Sequence, residues 1–130
     1  MSEYGLGGGV TNSGPPTNDS ATPEQILRMQ QRLRDELSAG GLGVGMGIQY
    51  TPGATRQEII EMFRVAAEQA VPVFVHSRGD RVESVGEVVG AAAVTGAPLH
   101  IVHINSSCLR DAPDCLRMVA GARGRGLDVT

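Results

Sequence analysis

The chain is poor in the residues that mark most specialised small proteins. Its 130 residues include two cysteines, two tyrosines, two phenylalanines and no tryptophan. A secreted scaffold stapled by disulfides is denser in cysteine. Cys108 and Cys115 also lack the CxxC spacing of a zinc knuckle, and both read as free thiols. With aromatics scarce, core volume must come from Val, Leu, Ile, Met and Ala. No apolar run approaches the roughly 20 residues of a membrane span. The start, MSEYGLGGGV, has neither the basic residues nor the apolar stretch of a signal peptide. A cytoplasmic protein with no membrane partner is the expectation. The formal charge of −3 gives no electrostatic case for nucleic acid. The length suits one ordinary domain.

What the chain does have is glycine, 18 residues of it, and a regular alternation of patterns. Residues 1–20 are rich in Gly, Pro, Ser, Thr and Asn and read as a flexible segment. Thr22-Pro23-Glu24-Gln25 is a helix start: Thr22 caps, Pro23 suits the first helical position and Gln25 completes a capping box. Ile26, Met29, Leu33 and Leu37 follow at helical spacing until Gly40-Gly41. From Gly41 to Ile48 glycine alternates with Leu, Val, Met and Ile. Period two fits a strand with one apolar face and one bare face, and the bare face implies a crowded or liganded space. Thr55-Arg56-Gln57-Glu58 is a second capping box, followed by Ile59, Met62, Phe63, Ala66 and Ala70. Val71–His76 reads as a strand, Ser84-Val85-Gly86-Glu87 as a third box, and Leu99–Ile104 as the next strand. Asp111 and Pro113 start a last helix carrying Leu116, Val119 and Ala120, and Leu127–Thr130 reads as an incipient fourth strand.

Strands alternating with helices imply a parallel α/β sheet. The continuous apolar run before His76 suits a parallel strand covered on both faces. Four strands cannot close a barrel, which takes eight. The chain is therefore either a small open sheet or the middle of a larger barrel. The ending on an incipient strand and the lack of a phosphate-binding glycine loop favour the barrel. GLGGG does not follow a strand, and GLGVGMG lacks the Lys of a P-loop.

Two of the strands end in histidine, His76 and His103. Active sites of α/β barrels are built at the carboxyl ends of the strands, and imidazole is the commonest side-chain metal ligand. Two readings stay open: a pair of metal ligands, or histidines hydrogen-bonded at strand ends. His100 lies an odd number of residues before His103, so it is expected to face the helices and to be structural. A zinc centre needs at least three protein ligands, and no third is convincing. Asp80, Glu83 and Asp111 read as loop or helix-start charges, Asp114 and Asp128 as solvated, and Cys108 is separated from His103 by a loop.

Four segments resemble the N-acyl-D-amino-acid deacylases of the amidohydrolase superfamily: GLGVGMGIQYTPGA, VPVFVHSRG, APLHIVHINSS and ARGRGLDVT. The similarity covers roughly residues 21–130. It implies part of a (β/α)8 TIM barrel, about strands four to seven with their helices, in a family whose barrel carries a small β-sandwich. It further implies hydrolysis of the amide bond of N-acyl-D-amino acids by a water that zinc, or another divalent metal, activates. His76 and His103 correspond to metal ligands. Tyr50 corresponds to a residue that lines the substrate pocket or polarises the carbonyl, and Arg78 to one supporting the rim near the metal or the substrate carboxylate. Asn105 stands where some members carry a substrate-binding lysine. The first-strand HxH pair, the early-strand cysteine ligand and a strand-four lysine have no counterpart here. The general-base Asp of strand eight falls beyond Thr130, so the resemblance assigns no catalytic residue and implies a fragment. Its partners are then a small N-acyl-amino acid and either the remainder of the barrel or another copy, through open sheet edges. The competing expectations are a non-catalytic open-sheet domain that binds no metal, and a cyclic amidohydrolase of the dihydroorotase or hydantoinase type.

Overall fold

The computed structural model describes residues 18–79 and 82–130. The segment expected to be flexible over residues 1–20 lies outside them except for Asn18, Asp19 and Ser20, and so does Asp80. Helix α1 (Pro23–Ser38) starts as its sequence dictates. The Gln25 N–H donates to Thr22 Oγ1 at 3.2 Å, and the Thr22 N–H donates to Gln25 Oε1 at 2.7 Å, so two otherwise orphaned donors are satisfied reciprocally. Strand β1 (Val44–Gly47) follows and runs into a 3-10 turn over Ile48–Tyr50. Next come α2 (Arg56–Glu68), β2 (Val73–His76), α3 (Val82–Thr95) and β3 (Leu99–Ile101). A short α4 (Ile104–Cys108) and a 3-10 turn at Leu109–Asp111 lead into α5 (Ala112–Arg123). Among the described residues, no helix is long and apolar enough to cross a membrane.

The three strands form one parallel sheet in the order β1-β2-β3. Register places Val44, Val73 and Leu99 in one row and Met46, Val75 and Ile101 in another. All six are buried and share a core with Ile59, Met62 and Phe63 of α2, Val85 and Val88 of α3, and Val119 of α5. The intervening row is Gly45, Phe74 and His100. It points the other way, because successive side chains alternate across a strand. Phe74 is 42 % exposed, and a Cβ added at Gly45 would meet nothing within 4 Å. The helices thus cover one face of the sheet, and the other is open. The end of the chain continues the sheet beyond β3. Val129 bridges Leu99 in parallel, the Leu99 and Ile101 N–H groups donate to Asp128 and Thr130 carbonyls at 2.8 Å, and the Thr130 N–H returns to Leu99 at 2.9 Å. The α/β alternation with a parallel sheet is as the sequence implies.

Several local expectations need correction. The glycine-rich strand is Val44–Gly47 and not Gly41–Ile48: Leu42 is 89 % exposed, so it adds nothing to the apolar face. The second strand starts at Val73 and not Val71. The third ends at Ile101 and not Ile104, because the backbone turns at Val102–His103 and enters α4, a helix the sequence pattern did not reveal. The Thr55 box is half formed. Thr55 Oγ1 accepts the Glu58 N–H at 3.1 Å, but the Glu58 carboxylate accepts from the Ala21 N–H at 3.3 Å, fastening the lead into α1 onto α2. Ser84 lies inside the first turn of α3, with its hydroxyl 3.4 Å from the Gly79 carbonyl. Asp111 precedes α5 without a side-chain cap bond. Cys108 and Cys115 are not free thiols. The 3-10 turn folds the end of α4 onto the first turn of α5, and the two buried sulfurs form a disulfide.

Ala70 closes α2 in a left-handed conformation, φ 52°. Its N–H donates to Ala67, and the Val71 N–H reaches back to Ala66 at 3.0 Å, so this residue carries the turn that aims the chain into β2. A left-handed residue with a Cβ is strained by about 1 kcal/mol. Ala70→Gly relieves that strain at some cost in unfolded-state entropy. We expect it to raise the unfolding free energy by about 0.5 kcal/mol, read as a higher urea midpoint at unchanged slope. A lower midpoint would show that the turn is not strained.

Candidate metal centre

The carboxyl end of the sheet gathers three rings. His76 is the last residue of β2 and pairs in register with Gly47. A Cβ at Gly47 would come within 3.1 Å of the Tyr50 ring. Glycine there lets the 3-10 turn fold Tyr50 back over the strand end. The Tyr50 ring, half exposed, lies with its centroid 5.1 Å from that of His76, the planes tilted by 54°. His103 arrives differently. It stands two residues beyond β3, as the N-cap of α4, with φ 39° and ψ 44°. This left-handed turn swings its ring across to His76, with centroids 4.5 Å apart and planes at 82°. His103 Nε2 is 3.2 Å from His76 Nδ1, and His103 Nδ1 is 3.1 Å from Ser107 Oγ.

His100 does not face the helices as its offset from His103 implied. Parity along a strand holds only while the strand lasts, and β3 stops at Ile101. His100 sits opposite Phe74 on the open face, ring centroids 5.6 Å apart, with Nδ1 2.9 Å from Thr130 Oγ1. It is engaged below the rim, apart from the His76–His103 pair.

The facing nitrogens can be tested against a metal. Two imidazole nitrogens bound to tetrahedral zinc at about 2.0–2.1 Å stand about 3.3 Å apart. The observed 3.2 Å corresponds to an angle at the ion of about 100°, so the pair fits two positions of such a centre. Among the described residues, no group of three or more His, Cys, Asp or Glu converges on a metal position. The pair alone therefore falls short of the at least three protein ligands that a zinc centre takes. Cys108 does not add a third, since its sulfur is bonded to Cys115.

The remaining candidates serve the rim. Arg78 donates from Nε to Glu87 Oε2 at 2.9 Å, from Nη1 to the Pro52 carbonyl at 3.1 Å and from Nη2 to the Ala54 carbonyl at 2.7 Å. It clamps the loop after Tyr50 onto α3. The Gly79 N–H donates to Gln49 Oε1, tying the loop after β2 to the 3-10 turn. Asn105 is exposed on the first turn of α4. Sequence reasoning missed Ser107, Thr51, Ser77 and Glu58. Ser107 lies one helical turn beyond His103, a relation visible only once residues 104–108 are read as a helix. Thr51 Oγ1, Ser77 Oγ and Glu58 Oε1 are buried and find no hydrogen-bond partner among the described residues. All three flank the loops at this end of the sheet.

No protein-family model matches the chain, and no curated protein does. Solved structures do. An N-acyl-D-glutamate deacylase from Bordetella bronchiseptica, complexed with zinc and a phosphonate mimic of the reaction's tetrahedral intermediate, superimposes with a TM-score of 0.79 at 27 % identity, over 87 % of this chain and 26 % of that one. A D-aminoacylase variant in complex with copper chloride gives 0.77 at 25 % identity, over 90 % and 26 %. Its structural neighbours are amidohydrolases. The chain spans about a quarter of the length of these deacylases. An L-hydantoinase from Arthrobacter aurescens matches at a TM-score of 0.63 and 15 % identity, over 85 % of this chain and 30 % of that one, a likeness of fold alone.

Glu58 is fully buried at the start of α2. Desolvation raises its pKa, opposed by the Ala21 and Thr55 backbone N–H groups and by the Arg78 charge. A carboxyl whose folded pKa is raised is no liability while both states are protonated. It becomes one as the unfolded chain ionises, above about pH 4.3. Stability relative to a neutral side chain is therefore lost as pH rises from there through the folded pKa. For Glu58→Gln, the difference in unfolding free energy from wild type should move in the variant's favour between about pH 4 and pH 7, measured by urea titration at both. A constant difference would show that Glu58 titrates alike in the folded and unfolded chain.

Proposed function

We propose that this chain is part of a metal-dependent hydrolase of the amide bond of N-acyl-D-amino acids, supplying strands four to seven of its barrel, with His76 and His103 as two ligands of a divalent metal, zinc in the first instance. The observation that carries the reading is the 3.2 Å approach of His76 Nδ1 to His103 Nε2 at the carboxyl end of adjacent parallel strands. The deacylase complexed with zinc and a tetrahedral-intermediate mimic supports it. When bound, a divalent metal supplies Lewis acidity and a water activated for attack on an amide carbonyl. The chain's own groups then divide the remaining work. Tyr50, held over His76 by the glycine at position 47, presents its hydroxyl to the carbonyl oxygen of the substrate. Asn105 offers a neutral amide toward the substrate carboxylate. Arg78 serves the pocket through the loop carbonyls it holds. Among the described residues no third His, Cys, Asp or Glu joins the pair at a metal position.

One observation favours a second reading. A nitrogen–nitrogen distance of 3.2 Å is also that of an N–H···N hydrogen bond, so an open-sheet domain with a metal-free imidazole pair would look the same. Metal content separates the two. Titrated with zinc at equilibrium, without dialysis, the chain should bind one ion through the two imidazoles, weakly because two ligands are fewer than a complete zinc site holds. The His76→Ala/His103→Ala double variant should lose that binding, and His100→Ala should keep it. No binding by the wild-type chain in the titration, or equal binding by the double variant, would overturn the proposal.

A further inference from the structure

We infer that Ser107 is a positioning residue for this centre: its hydroxyl oxygen accepts the Nδ1 proton of His103 and so fixes the ring in the tautomer whose Nε2 lone pair faces His76. The inference rests on the metal-site reading for its purpose, and on the geometry of α4 for its content. Ser107 Oγ lies 3.1 Å from His103 Nδ1. Ser107 is 7 % exposed, while the histidine ring above it is open to solvent, so the hydroxyl is a fixed point and the ring is the group being held. The backbone sets the relation. The Ser106 and Ser107 N–H groups donate to the His103 carbonyl at 2.9 and 3.1 Å, closing one helical turn that returns the Ser107 side chain beneath the imidazole. The next residue, Cys108, is bonded to Cys115 on α5, which tethers the turn to the body of the fold. His103 is thus gripped at its carbonyl and at Nδ1.

The chemistry gives the grip a use. A neutral imidazole has one N–H and one lone pair, and which nitrogen can bind a metal is set by the hydrogen bond the other makes. Unrestrained histidine prefers its proton on Nε2, the nitrogen that here faces His76. Left to itself the ring would therefore aim a proton where a ligand lone pair is needed. A hydroxyl oxygen at Nδ1 reverses the preference, and loss of such a partner costs metal sites 10- to 100-fold in affinity.

The test uses the full chain with nitrogen-15-labelled histidine, at about pH 8, where imidazole is neutral. In a His76→Ala background, Ser107 is the tautomer-setting group in question. His103 should then show its proton on Nδ1, and adding Ser107→Ala should move it to Nε2. A proton on Nε2 with Ser107 intact, or a tautomer indifferent to Ser107→Ala, would overturn the inference. With His76 present, zinc affinity should fall 10- to 100-fold in Ser107→Ala and recover in Ser107→Thr. It should be unchanged in Ser106→Ala, whose hydroxyl meets the His103 carbonyl and not the ring. A Ser107→Ala chain that binds zinc with wild-type affinity defeats the role of Ser107 while leaving the metal site standing. A wild-type chain that binds no zinc, yet holds its proton on Nδ1, defeats the metal site and leaves the role of Ser107 in the tautomer.

Discussion

The site depends on the backbone reversal at His103. Strand β3 delivers the chain to the rim at Ile101, and continued extension would carry the next histidine away from its neighbour. Instead, His103 takes a left-handed conformation, which costs a residue with a Cβ about 1 kcal/mol. The bonds that offset this strain are local: three donors, the Ser106 and Ser107 N–H groups and the Ser106 hydroxyl, converge on the His103 carbonyl. Left-handed non-glycine residues persist only where the surroundings over-determine them. Here the surroundings are α4 and its disulfide to α5. The same turn ends the strand, starts the helix and brings the two imidazoles together, so no one of these can be changed alone.

The open face of the sheet has a matching logic. Parallel strands normally carry apolar side chains on both faces, and β1 carries them on one. The two outer glycines of the bare row each leave room for a different neighbour. A Cβ at Gly43 would press to 2.9 Å from the Phe74 ring and 2.7 Å from the Pro72 carbonyl, and one at Gly47 would press on Tyr50. Gly45, between them, opens onto space. The row therefore admits aromatic rings at its two ends and keeps a gap in its middle. That arrangement suits a surface that a ligand or a further layer of protein approaches, and suits a finished helix-covered core poorly. The helix-covered face, with its rows of Val, Met, Leu and Ile, supplies the rigidity against which the rim is positioned.

How much of this was legible in the residues depended on how local the cause was. The Thr22 cap and the βα alternation follow from spacing alone, and the structure has them. The apolar run before His76 implies a strand covered on both faces, but among the described residues only the Val73/Val75 face is covered, and Phe74 on the other is 42 % exposed. The face of His100 did not follow. It was deduced by counting back from His103, and the count crosses a turn that no proline or glycine announces. The disulfide escaped for the same reason: seven residues separate Cys108 from Cys115, and only the unexpected α4 and its 3-10 turn bring them together. In the sequence Glu58 is half of a capping box with Thr55. Its carboxylate turns inward because a backbone donor 37 residues earlier in the chain, Ala21 N–H, is there to meet it, and a non-local partner leaves no trace in a local motif.

Glu58 also belongs to a pattern in where the molecule tolerates imperfection. A buried polar group without a partner costs about 1–3 kcal/mol, and native proteins hold few of them. The three in the described residues, Thr51 Oγ1, Ser77 Oγ and Glu58 Oε1, all flank the loops at the carboxyl end of the sheet, and none lies in the helix-packed core. Arg78 runs through the same region, linking two loop carbonyls to Glu87, so these loops are held by directed polar bonds where the core relies on apolar packing. Bonds of that kind fix direction, which is what a rim presenting Tyr50, His76 and His103 at set separations requires. Apolar packing alone is non-directional and would leave those rings free to settle elsewhere. The stability surrendered at this end of the sheet and the precision of the histidine pair are thus two consequences of building the rim from polar loops.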